Sequence, residues 1–440
     1  MISKIAFHIE RSNYFKVLGG VIDELMRRGH QVVLLYAGVS EGRFDKGIAT
    51  PNPANFPRFL HGTPIPLTYF DIDKLGDLIA SHADVLVLHQ GYHGSSQEYA
   101  EAVRGNGVPA QYQRARRHGV HIVSIASHFF DHCLWPIDAF DYFDKICILS
   151  RHAAECHKRI LLNTFKGTSD EKSRYSQQIE SAYQEKVVET GSALFDMFLS
   201  VEKRRSAAAE EVVLFAPKID SHPYMQVVLR EHSRFVAFTR SLIRFKGAYV
   251  INALVEPRFS TFVKALGSRC LRDGRNFVVK SRPKHGSMYD GLYRSQANRY
   301  IVGNEDSFYP EFTSADIFRN AALSLHIRTF SVMEAVAAGT YAVNIQIPIA
   351  DEKDGFDELD CEYVRQVRTP HPDTLFNFDG CVRNLPWREA TDYISLQPIP
   401  AIDPLRRREY LARFCGINDE NISASSRVSD VIDNLLLYGS

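Results

Sequence analysis

Residues 313–348 read TSADIFRNAALSLHIRTFSVMEAVAAGTYAVNIQIP. Leu323, Leu325 and Ile327 form a short apolar run that leads into Arg328, Thr329, Phe330 and Ser331. Small residues follow, with Glu334 among the first of them, and their pattern is helical. Gly339 ends that helix, and residues 341–347 read as another strand. Strand, turn, helix, glycine, strand is a parallel βαβ unit. Hydroxyls and amides where a helix begins suit an anion, because the first N–H groups lack intrahelical partners and the helix dipole is positive there. Thr329 and Ser331 are therefore assigned to phosphate, with Ser331 also suited to cap the helix. Glu334, a turn further in, is assigned to the vicinal hydroxyls of a ribose.

Outward from this unit the chain alternates strand and helix along its 440 residues. That length, with 45% hydrophobic residues, supports two domains with separate cores. Lys+Arg and Asp+Glu balance at 52 each, so no overall field points to nucleic acid. The seven cysteines (133, 147, 156, 270, 361, 381 and 415) form no CxxC pair. Reduced thiols and a cytoplasmic setting are the expectation. No signal peptide and no run of about 20 apolar residues is evident, so peripheral docking is the membrane association left open.

In the first half, strands are expected at 4–9, 31–36, 83–89, 121–126, 143–149 and 186–190. Helices are expected at 17–28, 97–104, 112–117 and 150–162, the last capped by Ser150, with a helix or polar excursion at 164–184. Residues 38–66 read as one long connection. Polar clusters follow the strand ends, where open parallel sheets hold their ligands. Glu10 follows the first strand, His89 and His93 the third. His128 and Asp131 follow the fourth, in HIVSIASHFFD. A histidine near its free pKa can take a hydroxyl proton at neutral pH, so His128, oriented by Asp131, is the first choice of base. Asp131 itself is an alternative, and Glu10, His89 and His93 are competitors at other strand ends. Residues 200–210 have linker composition.

In the second half, strands are expected at 212–216, 248–254, 276–280 and 300–302, and helices at 225–242, 259–271, 404–414 and 425–437. Lys218 follows the first of these strands. Lys280, Arg282, Lys284 and His285 cluster at the end of the third, where three cations and a histidine suit a diphosphate leaving group. This cluster and the Glu334 unit are expected on adjacent strands. No metal constellation is found: His128 and His132 lack an HExxH context, and His152 and His157 do not share a helix face.

The Glu334 unit resembles the nucleotide site of GT-B-fold enzymes, which include glycosyltransferases, hydrolysing UDP-GlcNAc 2-epimerases and relatives of CDP-glycerol glycerophosphotransferase. Residues 280–285 resemble the K-x-HP or RPH element of those groups, and HIVSIASH the strand ending QHG of the glycerophosphotransferase-like proteins. Residues 191–196, GSALFD, resemble the GSPKFD element that precedes their interdomain linker. The resemblance implies an α/β GT-B architecture, two Rossmann-like doubly wound parallel-sheet domains facing a cleft. The acceptor-side domain would span 1–200, a linker 201–210 and the nucleotide-donor domain 211–403. Helices in 404–440 would cross back to the first domain. It implies a glycosyltransferase moving a sugar or polyol phosphate from a nucleotide-activated donor to a surface glycan, without metal or cofactor. The alternatives are a UDP-sugar 2-epimerase and an inactive glycan-binding or assembly protein.

Overall fold

A computed structural model describes residues 2–38, 56–89, 108–127, 129, 132, 135–202, 210–216, 250–281, 289–302, 307–327, 329–346, 372–386, 389 and 399–438; at 250–259, 346 and 386 it describes the backbone alone. The chain divides into two compact units. Unit 1 comprises residues 1–197, 307–312 and 411–440, and unit 2 comprises 198–306 and 313–410.

Unit 1 holds a seven-stranded sheet of β1 (Lys4–His8), β2 (Gln31–Ala37), β3 (Ile65–Tyr69), β4 (Val85–His89), β5 (His121–Ile125), β6 (Lys145–Ile148) and β7 (Val187–Glu189). The order is β3-β2-β1-β4-β5-β6-β7 and every pairing is parallel. The central strands are apolar at successive positions because both faces are covered. Ile5 and Phe7 pack with Val32, Leu34, Val85 and Val87 in one core. Ala6 packs with Val33, Leu35, Leu86 and Leu88 in the other. The helices are α1 (Phe15–Arg27), α2 (Leu75–His82), α3 (Val108–Arg117), α4 (Arg151–Thr164) and α5 (Ser169–Lys186), and α6 (Leu194–Glu202) spans the boundary at Met197. The Ser150 hydroxyl accepts from Ala153 N at the start of α4, and Thr168 and Glu171 form a reciprocal capping box on α5.

Unit 2 begins with β8 (Glu211–Phe215) and continues through α7 (Val250–Arg272), β9 (Asn276–Lys280), α8 (Asp290–Gln296), β10 (Arg299–Ile301), α9 (Thr313–Asn320), β11 (Ala321–His326), α10 (Ser331–Ala337), β12 (Tyr341–Gln346), β13 (Val382–Pro386) and α11 (Pro404–Tyr410). Its sheet is also parallel throughout, in the order β10-β9-β8-β11-β12-β13. In both units the chain winds outward from the first strand, then restarts on its other side. The strand order therefore reverses between β1 and β4, and between β8 and β11.

Two segments complete unit 1. Residues 307–312 bring Tyr309 against α1. Its hydroxyl donates to Asp23, whose other oxygen accepts from Leu60 N and His61 N. Its ring lies against Phe59, with centroids 5.5 Å apart. Gly19 leaves the room: a Cβ there would stand 2.4 Å from Tyr309 Cδ2. The second segment ends in α12 (Ala424–Tyr438), whose Val428 and Ile432 join the core containing Phe15 and Ile22. Asp196 caps this helix from a distance in sequence. Its buried carboxylate accepts from Ala424 N at 2.8 Å, Ser425 N at 2.9 Å and Ser425 Oγ at 2.6 Å. Asp196→Ala leaves two amides of the first turn and a buried hydroxyl without that acceptor, and is expected to cost about 2–3 kcal/mol. A shift of the urea midpoint at unchanged slope measures it.

Several expectations are corrected. Residues 250–254 are not a strand but the start of α7: a short β-branched run fits either period, and the helix that follows extends back over it. The stretch read as connection at 38–66 contains the start of β3, and β13, α8 and α9 were not anticipated. The proposed linker begins inside α6, which runs to Glu202. Residues 307–312 and the tail from Leu411, rather than from 404, fall in unit 1. The segments expected as helices at 97–104 and 225–242 lie outside the described residues.

Candidate functional site

In unit 2 the candidate site sits where the strand order reverses. Lys280 is the last residue of β9 and pairs with Phe215, the last of β8. Leu214 pairs with Leu325 of β11, so Phe215 stands level with His326. The two rings stack, with centroids 4.9 Å apart and an interplanar angle of 12°. His326 pairs with Asn344 of β12, and Asn344 with Asn384 of β13. The carboxyl edge of the sheet thus carries one row: Lys280, Phe215, His326, Asn344 and Asn384. Lys280 and His326 are two strand spacings apart, about 10 Å. The expectation that the Lys280 cluster and the Glu334 unit occupy adjacent strands is therefore corrected: β8 lies between them, because a doubly wound sheet keeps its first strand in the middle.

His326 organises the hydroxyls that follow β11. Its Nδ1 lies 3.1 Å from Ser331 Oγ and its Nε2 2.9 Å from Ser324 Oγ. Ser324 Oγ donates to the Tyr341 carbonyl at 3.3 Å. A carbonyl only accepts, so the Ser324 proton is committed there, and Nε2–H of His326 donates to Ser324. Nδ1 is then the acceptor, and the Ser331 hydroxyl donates to it. Thr329 Oγ1 lies 3.0 Å from Ser331 Oγ and accepts from Ser331 N at 3.4 Å. With the Ser331 proton committed to Nδ1, the Thr329 hydroxyl is the donor in its contact with Ser331.

Burial without a charged partner pushes the His326 pKa down to about 3. His157 of unit 1, buried between the Tyr183 hydroxyl and the Trp135 carbonyl, is pushed down to about 4. Both are neutral in the fold and take up a proton more readily when unfolded. Their contribution is complete above pH about 6.5 and is lost as the pH falls toward 4 and then 3. Thermal midpoints are expected to drop steeply over that window, with each histidine worth on the order of 3 kcal/mol at its lower end. A flat profile between pH 7 and 4 would contradict the buried neutral state.

Ser331 is the first residue of α10, not its cap; Phe330 occupies the cap position with helical angles and no side-chain bond. Glu334 lies at the end of the first turn and is 6% exposed. From α11, Arg407 donates to the carbonyls of Val336 and Ala337 at the far end of α10, at 3.0 and 2.7 Å. Lys218, Arg282, Lys284 and His285 lie outside the described residues.

In unit 1, Glu10 stands two residues beyond His8, at the point where the strand order reverses. Its Oε1 is 3.7 Å from His8 Nδ1, and its Oε2 accepts from the Tyr14 hydroxyl at 3.3 Å. His89 ends β4, and its ring meets Tyr14 edge-on. His128, Asp131 and His93 lie outside the described residues. Among the described residues, no three His, Cys, Asp or Glu side chains are grouped as metal ligands. Sequence reading missed His8, Ser324, His326, Asn344 and Asn384 as members of these edges. Their signal was present: each is a polar residue inside or ending a strand.

No family model matches this chain, and no curated protein matches it in sequence. Solved structures do match in fold. A variant of the wall teichoic acid polymerase TagF superposes with TM-score 0.52 at 9% identity, covering 98% of this chain and 88% of that one. A putative UDP-N-acetylglucosamine 2-epimerase from Listeria monocytogenes superposes with TM-score 0.50 at 8% identity, covering 100% and 98%. A TagF variant soaked with CDPG gives TM-score 0.50 at 11% identity, covering 98% and 88%. The two doubly wound parallel sheets and these likenesses define a GT-B fold. No helix among the described residues is long and apolar enough to cross a membrane.

Proposed function

We propose that this chain is a transferase that moves a sugar, or a polyol phosphate, from a nucleotide-activated donor to a surface-glycan acceptor. The observation that supports this reading best is the polar edge of unit 2, where Lys280 and the His326–Ser331–Thr329 chain flank β8 at the point of strand reversal. Open α/β sheets bind nucleotides there. In the proposal, Lys280 supplies positive charge to the donor phosphates, together with Lys218, Arg282, Lys284 and His285. Thr329 contributes a hydrogen bond to the same phosphates. Glu334 accepts from the ribose hydroxyls. The base comes from unit 1, from His128 with Asp131 or from Glu10, with His89 and His93 on the acceptor side. Charge stabilisation of the leaving nucleotide carries most of the rate, and neither metal nor cofactor is invoked. The setting proposed is the cytoplasm, with peripheral contact to the inner membrane face where acceptor glycans are assembled.

Glu334→Ala is expected to weaken CDP or UDP binding by about 10–100-fold without unfolding the protein, as for lost hydrogen bonds to a charged group. Calorimetry with CMP, CDP, UDP and GDP measures it, and unchanged affinity removes the ribose assignment. Incubation with nucleotide sugars separates the readings. Transfer or slow hydrolysis supports the transferase. An altered sugar still joined to its nucleotide identifies a 2-epimerase. Absence of turnover points to a binding or assembly protein.

A further inference from the structure

Residues 307–312 run through unit 1 as a strap, while the chain on either side of them, 198–306 and 313–410, belongs to unit 2. They form neither helix nor strand, so no backbone ladder fixes them. Side chains hold them instead. The Tyr309 hydroxyl donates to Asp23 of α1, whose buried carboxylate also accepts from Leu60 N at 2.8 Å and His61 N at 3.0 Å. The Tyr309 ring has its centroid 5.5 Å from that of Phe59 and 6.4 Å from that of Phe312. Phe308 packs on the same core. A buried carboxylate has to be matched by donors. Of the three donors that Asp23 has here, only the Tyr309 hydroxyl belongs to the strap. A phenylalanine would fill the notch over Gly19 equally well. The hydroxyl makes the seat a specific one.

The strap continues without a break into α9, whose first residue is Thr313. Phe318 of α9 is fully buried, and its ring stacks on Phe215 with centroids 5.3 Å apart and an interplanar angle of 26°. Phe215 stacks in turn on His326, which holds Ser331 by hydrogen bond. Close-packed rings have no room to slide past one another, so a shift of α9 displaces Phe215 and with it the imidazole. The Tyr309 seat is thereby joined to the carboxyl edge of unit 2 by a covalent step and a stack of Phe318, Phe215 and His326. The strap has two states, seated and unseated, and they differ by one hydrogen bond and the packing of a few rings.

We propose that residues 307–312 act as a latch: the seating of Tyr309 on Asp23 and the occupation of the carboxyl edge of unit 2 by a nucleoside diphosphate are linked, each favouring the other. The ligand rests on the nucleotide reading above, and the latch goes beyond it. Unseating Tyr309 frees α9 to shift. Phe215 and His326 then lose their fixed stacking, and the Ser331 and Thr329 hydroxyls lose the order that His326 imposes. Linkage is reciprocal, so a nucleotide that holds this edge in order also holds the strap in its seat.

The test is hydrogen exchange of the full chain, read by mass spectrometry with and without CDP or UDP, together with titration of the same nucleotides. Bound nucleotide is expected to slow exchange at 307–312 by about 3–10-fold. Tyr309→Phe, which keeps the ring, is expected to weaken CDP or UDP by about threefold, and Tyr309→Ala by about 10–30-fold. Thr168→Ala is the control. It removes the capping box of α5, elsewhere in unit 1, and should leave nucleotide affinity within about twofold. If Tyr309→Ala fails to fold, Tyr309→Phe decides with the exchange data. Affinity kept within about 1.5-fold in Tyr309→Phe, a loss matched by Thr168→Ala, or exchange at 307–312 that nucleotide leaves unchanged overturns the latch. If the protein binds neither CDP nor UDP, the nucleotide assignment falls and the latch is decided without ligand. Tyr309→Phe should then speed exchange at 321–337 of unit 2 by about threefold or more, while Thr168→Ala does not. Faster exchange confined to unit 1 would overturn it.

Discussion

Arg407→Ala is expected to destabilise unit 2 by about 3–5 kcal/mol and to weaken nucleotide binding with it. Arg407 is 6% exposed, and its guanidinium donates to the carbonyls of Val336 and Ala337. These are the last two residues of α10, which has seven. A helix that short satisfies few of its own carbonyls, so what binds its end decides whether it forms. Removing Arg407 leaves buried carbonyls without those donors and opens a void where the side chain lay. Ser331 and Glu334 ride on the same helix, so under the proposed function the loss extends to nucleotide affinity. Arg407→Lys keeps the charge but not the fork that reaches two carbonyls, and should lose less. Urea unfolding, paired with a CDP or UDP titration under folded conditions, measures both effects. A cost below about 1 kcal/mol for the alanine variant would mean that water replaces the guanidinium.

Gly416→Ala is expected to cost about 3–5 kcal/mol in unit 1. Gly416 has φ +68°, and a Cβ there would stand 1.6 Å from the Leu149 carbonyl oxygen and 3.0 Å from Gly191 Cα. Both neighbours are backbone, at the ends of β6 and β7, so no flexible side chain can yield. Arg427 binds the same junction, donating to the carbonyls of Thr190 and Gly416. Gly29 supplies the control: φ is +89°, and a Cβ would meet nothing within 4 Å. Gly29→Ala should lose only the conformational part, about 1 kcal/mol. Equal losses at the two positions, by thermal midpoint, would show that the contact with Leu149 carries no weight.

The βαβ unit around Glu334 was legible because three local signals agree there: an apolar run, a small-residue helix, and a glycine that stops it at φ +73°. The neighbours of a strand were not legible in the same way. Nothing in residues 276–280 or 321–326 says that β8 lies between them, since side-chain period reports a strand's faces and not its position in a sheet. The edge strand β3 escaped notice because none of its residues is fully buried and it carries no buried apolar run. Asp196 was visible as part of a recurring element before a linker. Its physical task, holding the first turn of α12, depends on residues more than 220 positions away and needed coordinates. His326 was not singled out, yet it contacts both Ser331 and Ser324. His93, His128, Asp131, Lys218, Arg282, Lys284 and His285 lie outside the described residues.

The insertion of Tyr309 beside Gly19 and Asp23 decides how this protein can be taken apart. Residues 307–312 and 411–440 belong with 1–197, although more than a hundred positions separate them from it. A gene fragment that stops at Met197 would encode a sheet without its last helix and without the tyrosine plug. Such a fragment should come out of cells insoluble. A single proteolytic nick between Glu202 and Glu210 should instead leave two pieces that travel together through a sizing column and part only in denaturant.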